Sequence, residues 1–140
     1  SLRISWEKGH ESQYYWQADV PADFSQMEQD GGALVMEFMI NKYPKGSVTQ
    51  RMDCGWPCRG EIDVTEFYKS IPLRQRSKVG ISLSCFKKMG VDMKKITSPL
   101  VLVSKDEFEI TFSDVRVIAN ASEDNTIQLC DSEVATLLQD

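Results

Sequence analysis

Between Phe108 and Val117 the chain alternates apolar and polar residues more cleanly than anywhere else. Phe108, Ile110 and Phe112 stand against Glu109 and Thr111, and Val115 and Val117 follow after Asp114. A period of two sends one set of side chains into a core and the other into water, so this segment reads as a half-buried β-strand. The pattern recurs. Val79, Ile81 and Leu83 alternate with small and polar residues, and Leu2, Ile4 and Trp6 alternate with Arg3 and Ser5. Tyr14-Tyr15-Trp16-Gln17-Ala18 is aromatic and strand-prone, and after the break at Gly9-His10 it reads as the hairpin partner of the first strand.

Leu34, Val35, Met36, Phe38, Met39 and Ile40 form an apolar run interrupted by Glu37. Propensity alone would allow a helix there. Gly31-Gly32 and Tyr43-Pro44-Lys45-Gly46 punctuate its ends, which favours a buried central strand with Val48–Asp53 as its hairpin partner. Further strands are expected at Glu61–Val64 and, after Pro99, at Leu100–Val103. Helix is expected only as one turn within Asp19–Gly32 and a short piece across Lys87–Lys95, where Gly90 is the weak point. Many short strands with frequent turn signals place the chain in the all-β class as a β-sandwich. The sandwich is expected over residues 1–118. Residues 119–140 are expected to be an irregular tail that Cys130 ties to the same domain.

The 140 residues suffice for one core, and 41% apolar with 26% charged residues is ordinary globular composition. A net charge of −5 argues against a broad nucleic-acid footprint. No apolar run approaches the roughly 18 residues that span a bilayer. The start at Ser1, with no signal peptide visible, suggests an excised piece or a mature form. Cys54, Cys58, Cys85 and Cys130 make an even count, which suits an exported, oxidised protein; four reduced core thiols are the alternative. Gly55 and Pro57 permit a tight turn in Cys54-Gly55-Trp56-Pro57-Cys58.

Catalytic chemistry finds little support. Glu61, Asp63 and Glu66 cluster after the cysteine loop, and at spacing two Glu61 and Asp63 share a strand face. Such a pair serves acid–base work only opposite another carboxylate; otherwise it is a solvated face or a calcium-compatible set of oxygens. Asp106, Glu107 and Glu109 read the same way. The single histidine, His10, sits in a glycine-containing turn far from any cysteine or acidic cluster. For zinc, Cys54 and Cys58 make one loosely matching pair with no second ligand pair after it, and no Gly-rich phosphate motif appears. Asn120-Ala121-Ser122 matches the N-glycosylation pattern, a pattern common by chance.

Aromatics are the better lead. Sugar rings present flat C–H faces on which an exposed indole or phenol ring can stack. Trp56 is held in the cysteine loop, where it serves either as a stacking platform or as a contact for a neighbouring domain. Tyr14 and Trp16 are further candidates, with Arg59 and Glu61 next to the loop. Trp6 and Trp16 more naturally fill the core.

The stretch from Leu34 to Val117 resembles the C-terminal module of bacterial family 3 glycoside hydrolases, the exo-acting β-glucan glucohydrolases. The matching pieces are Ala33–Phe38, Gly46–Thr49, Met52–Thr65, Ile81–Phe86, Gly90-Val91-Asp92, Pro99-Leu100 and Phe112–Val117. The most specific is Cys-Gly-x-x-Cys followed by Gly60-Glu61-Ile62-Asp63 and later Leu83-Ser84-Cys85-Phe86. The resemblance implies a galactose-binding-like, jelly-roll sandwich that follows catalytic domains in a longer chain. It carries over no catalytic residue. It implies a Cys54–Cys58 bridge and, with it, a Cys85–Cys130 bridge. Trp56 stands where a small or polar residue is expected for the family. The function implied is a non-catalytic accessory module, periplasmic or extracellular, that binds or guides β-glucan for its parent's catalytic domains. It would need no cofactor beyond a possible structural calcium, and no nucleic acid or membrane partner. A purely structural domain that buttresses those domains is the alternative reading.

Overall fold

The computed structural model describes residues 2–9, 11–16, 20–121 and 130. Among these described residues, eight strands run in chain order: β1 (Leu2–Trp6), β2 (Ser12–Trp16), β3 (Ala33–Lys42), β4 (Val48–Asp53), β5 (Arg59–Asp63), β6 (Ser77–Ser82), β7 (Ser98–Ser104) and β8 (Phe108–Ile118). Three short helices join them: α1 (Ser25–Gln29), α2 (Thr65–Ser70) and α3 (Leu83–Lys88). The strands form two antiparallel four-stranded sheets, ordered β1-β8-β3-β6 and β2-β7-β4-β5. A β-sandwich is therefore the observed architecture.

The core lies between the sheets. Leu34, Met36, Phe38 and Ile40 of β3, with Phe108, Ile110 and Phe112 of β8, face Val48 and Met52 of β4, Ile62 of β5, and Leu100 and Leu102 of β7. The first residues of β3 are apolar on both faces because both faces are covered there. Ala33 and Val35, on its other face, are buried with Ala121 and packed against Ile118. Tyr68 of α2 is wholly buried, its ring 5.4 Å from Phe38 and 5.6 Å from Phe108. That burial pushes its phenol pKa upward.

Both expected hairpins are absent. β1 pairs with β8 whereas β2 pairs with β7, and β4 pairs with β5 and β7 rather than with β3. The physical reason is in the alternation itself. β3 and β4 each bury one face, that of β4 carrying Gln50 between Val48 and Met52, and two such faces bury more when stacked across a core than when set edge to edge. The 43–47 connection therefore carries the chain from one sheet to the other. The helix expected over Lys87–Lys95 begins earlier, as α3. Leu83 and Phe86, three residues apart, are both fully buried, so the period changes from two to helical at Leu83. Gly90, at φ 111°, lies beyond the helix end. Helix α2 has no counterpart among the elements expected from the sequence.

Candidate functional site

Strand β4 alternates in burial, with Val48, Gln50 and Met52 inward and Thr49, Arg51 and Asp53 outward. On the edge strand β5, Gly60 and Ile62 point inward, and Arg59, Glu61 and Asp63 point outward. The ladder sets Arg51 opposite Glu61 and Asp53 opposite Arg59. The outer face of the second sheet thus carries a checkerboard of four charges, opposite in sign both along and across the strands.

Arg51 Nε donates to Asp53 Oδ1 at 2.6 Å and Nη2 donates to Asp53 Oδ2 at 3.2 Å. The same Nη2 reaches Gln13 Oε1 of β2 at 3.4 Å. Because β7 lies between β2 and β4, this side chain crosses over β7. Val101 of β7, the ladder partner of Arg51, is fully buried beneath it. Arg59 Nε donates to Glu61 Oε1 at 2.8 Å, and its Nη1 donates to the Pro57 carbonyl at 2.9 Å.

Trp56 stands at the end of this face on a closed loop. Cys54 and Cys58 are joined by a disulfide, and the Trp56–Pro57 peptide is cis. Within the loop, Cys54 N donates to Cys58 O and Cys58 N to Gly55 O. Gly55, at φ 88°, takes the left-handed turn that a side chain would oppose. From outside, Thr97 clamps the loop. Its Oγ1 accepts from Gly55 N at 3.1 Å, and its own N–H donates to the Asp53 carbonyl at 3.0 Å. Asp92 N donates to Cys54 Sγ.

The Trp56 side chain is 67% exposed, with the Arg59 guanidinium 4.4 Å and the Arg51 guanidinium 5.2 Å from its ring centroid. The indole is thus largely open to water, while the two guanidiniums hold it by cation–π attraction. Beside the ring lies an open depression of about 370 Å³, lined by Gln13, Arg51, Asp53, Trp56, Thr97 and Ser98. It has an apolar wall and a floor of fixed donors and acceptors. Among the described residues, Arg51 Nη1 and its two N–H groups have no hydrogen-bond partner.

Three of the residues expected from sequence come together here: Trp56, Arg59 and Glu61. Tyr14 does not join them. It pairs with core-facing Leu102 and packs against the core, on the opposite side of β2 from Gln13. The Trp16 side chain, His10 and the tail apart from residues 119–121 and 130 lie outside the described residues. Trp6 fills the core as expected, 5% exposed and stacked on Phe108 at 5.4 Å. Sequence reading missed Gln13, Arg51, Asp53 and Thr97. The alternation of β4 marks Arg51 and Asp53 as outward, but their meeting with Gln13 depends on which strands are neighbours.

The acidic residues are engaged structurally. Asp63 Oδ1 accepts from Thr65 N at 2.9 Å, and Glu66 lies 3.8 Å from Lys69. Among the described residues, no three carboxylate, histidine or cysteine side chains gather as a metal would require. Cys85 is bonded to Cys130, which leaves no free cysteine. Two disulfides fit an oxidising compartment.

The model of Exop_C, a galactose-binding domain-like family, matches residues 1–117. The chain belongs to the Exop_C family. None of the curated protein sequences matches this Exop_C domain. Among solved structures it is similar to the extra C-terminal domain (X) of the exo-1,3/1,4-β-glucanase ExoP from a Pseudoalteromonas species. That match has a TM-score of 0.71 and 19% identity, covering 91% of this chain and 66% of that one. Against the whole glucanase the TM-score is 0.71 at 20% identity, with 91% of this chain and only 15% of the enzyme covered. The family 30 carbohydrate-binding module of the cellulosomal cellulase Cel9D-Cel44B of Clostridium thermocellum gives 0.66 at 20% identity, over 89% of this chain and 75% of that one. At these identities the likeness is one of fold. The Exop_C domain thus shares its sandwich with an extra C-terminal domain of a glucanase and with carbohydrate-binding modules.

Proposed function

We propose that this domain is a non-catalytic carbohydrate-binding module that docks a β-glucan chain at Trp56, on behalf of catalytic domains elsewhere in a longer, exported protein. One observation carries the reading. A largely exposed tryptophan is fixed in a disulfide-closed loop directly beside ion-paired hydrogen-bonding groups. A pyranose stacked on the indole would set its hydroxyls against the free Arg51 Nη1 donors, the Asp53 carboxylate and Gln13. Because loop and side chains are already held, little ordering cost falls on binding. The binding module is taken as residues 1–118, and the compartment as periplasmic or extracellular.

Support for the sugar class comes from the carbohydrate-binding modules among the similar folds, and support for β-glucan from the glucanase domain. The test is calorimetric titration of the folded domain with β-1,3- and β-1,4-glucan oligosaccharides, with Trp56→Ala in parallel. Saturable heat that the substitution removes supports the proposal. A folded domain that gives no heat with either series overturns it, and leaves Trp56 as a contact for a neighbouring domain.

A further inference from the structure

The checkerboard has a consequence for the kind of glycan that fits. Resting on the sugar-binding reading above, we propose that Asp53 and Glu61 make this site select neutral glycan chains against acid-bearing ones. Two arginines beside an aromatic ring would ordinarily be a good receptor for a sugar carboxylate, because guanidinium forks match carboxylates bidentately. Here each guanidinium already holds a fixed carboxylate through its Nε. Arg51 spends Nε and Nη2 on the two oxygens of Asp53, and Arg59 spends Nε on Glu61 and Nη1 on the Pro57 carbonyl.

Each arginine also faces the other's carboxylate across the ladder, Arg51 opposite Glu61 and Arg59 opposite Asp53. Directly opposed strand positions lie about 5 Å apart at Cβ. An incoming carboxylate that approaches either guanidinium therefore meets one fixed carboxylate along the strand and a second across it. Asp63, outward on the same edge strand, adds a third. Two cations against three anions leave this face slightly negative. Neutral hydroxyls face no such penalty. They take the unused Arg51 Nη1 donors, and the oxygen lone pairs of Asp53 are left to accept. The selectivity thus lies in the partners of the arginines, not in the arginines themselves.

The test uses matched polymers. Affinity electrophoresis of the whole domain compares hydroxyethyl cellulose with carboxymethyl cellulose, and neutral curdlan oligosaccharides with carboxymethyl curdlan, at low and high salt. The expected result is that the neutral member of at least one pair binds at least about tenfold more tightly at low salt. That ratio is expected to shrink at about 0.5 M salt, where charges are screened. In Glu61→Gln and in the Asp53→Asn/Glu61→Gln double variant the ratio should fall by about tenfold or more. The ratio is read within each variant, so a general loss of affinity does not imitate the effect, and thermal melts establish that each variant is folded. Equal affinities in the wild-type domain overturn the inference while leaving sugar binding intact. A ratio that survives in both variants overturns it also, by removing Asp53 and Glu61 as its cause. Binding to neither member of either pair, together with silent calorimetry, defeats the sugar-binding reading itself and this inference with it.

Discussion

The Arg59 guanidinium lies 4.4 Å from the centre of the Trp56 ring and is itself held by Glu61 at 2.8 Å, so the orientation of an exposed indole is set by an ion pair a few residues farther along the chain. Replacing Arg59 by methionine keeps an apolar stem but removes the cation–π contact, which is worth roughly 0.5–1 kcal/mol at an exposed site. Affinity for glucan oligosaccharide should fall by about two- to fivefold, less than for Trp56→Ala. Calorimetry on the two variants checks the order; an Arg59 variant as damaging as the Trp56 variant would mean that Arg59 itself grips the sugar.

The two disulfides should separate binding from stability. Chain-entropy reasoning gives about 2 kcal/mol for the short Cys54–Cys58 loop and about 4 kcal/mol for Cys85–Cys130, which closes a separation of 45 residues. Replacing Cys85 and Cys130 by alanine should lower the urea midpoint more and change the affinity of the folded fraction little. Replacing Cys54 and Cys58 should do the reverse, because it frees the loop that carries Trp56.

Within the core, the Tyr68 hydroxyl and Gln50 Oε1 are buried with no hydrogen-bond partner among the described residues. A buried polar group left unpaired costs about 1–3 kcal/mol. Tyr68→Phe is therefore expected to be neutral or to raise stability by up to about 1 kcal/mol. Tyr68→Ala should cost about 3–5 kcal/mol, because it empties the space between Phe38 and Phe108. Chemical denaturation measures both; a strongly destabilising Tyr68→Phe would reveal an ordered water on that hydroxyl.

The other sheet supplies a pH dependence. Glu109 accepts from Ser5 Oγ at 2.8 Å and from Arg3 Nε at 2.9 Å, and the hydroxyl first, then the guanidinium, hold its pKa below the usual 4.5 despite the opposing effect of burial. A carboxylate whose folded pKa is depressed stabilises the fold above its unfolded pKa, and that contribution is lost as the pH falls through the folded value. The acid limb of the stability curve should therefore steepen below about pH 4.5 and flatten in Glu109→Gln. Urea melts from neutral pH down into the acid limb provide the check.

Much of this molecule is readable along the chain. The alternations at Leu2–Trp6, Lys78–Leu83 and Phe108–Val117 mark strands, the second running one residue into α3, because side-chain direction in a strand is a local property. The cysteine loop marks Trp56 as exposed for the same reason, since a tight closed turn has no interior in which to hide an indole. The failures share a cause. Trp6 and Tyr14 lie on adjacent segments, and Ile40 and Val48 flank a short connection, yet each pair is divided between two sheets. Which strand lies beside which depends on how apolar faces pair across the core, and no local pattern encodes that.

So the sequence by itself determined the strand-rich class and the apolar faces, and it singled out the cysteine loop and Trp56. Only the tertiary structure decided that Gln13, Arg51, Asp53 and Thr97 meet at that tryptophan, that Tyr14 turns away from it, and that two arginines are already claimed by Asp53 and Glu61. Periodicity is written in neighbouring residues. A binding face is assembled from residues tens of positions apart, by ladder register and by the burial of the opposite side of the same strands.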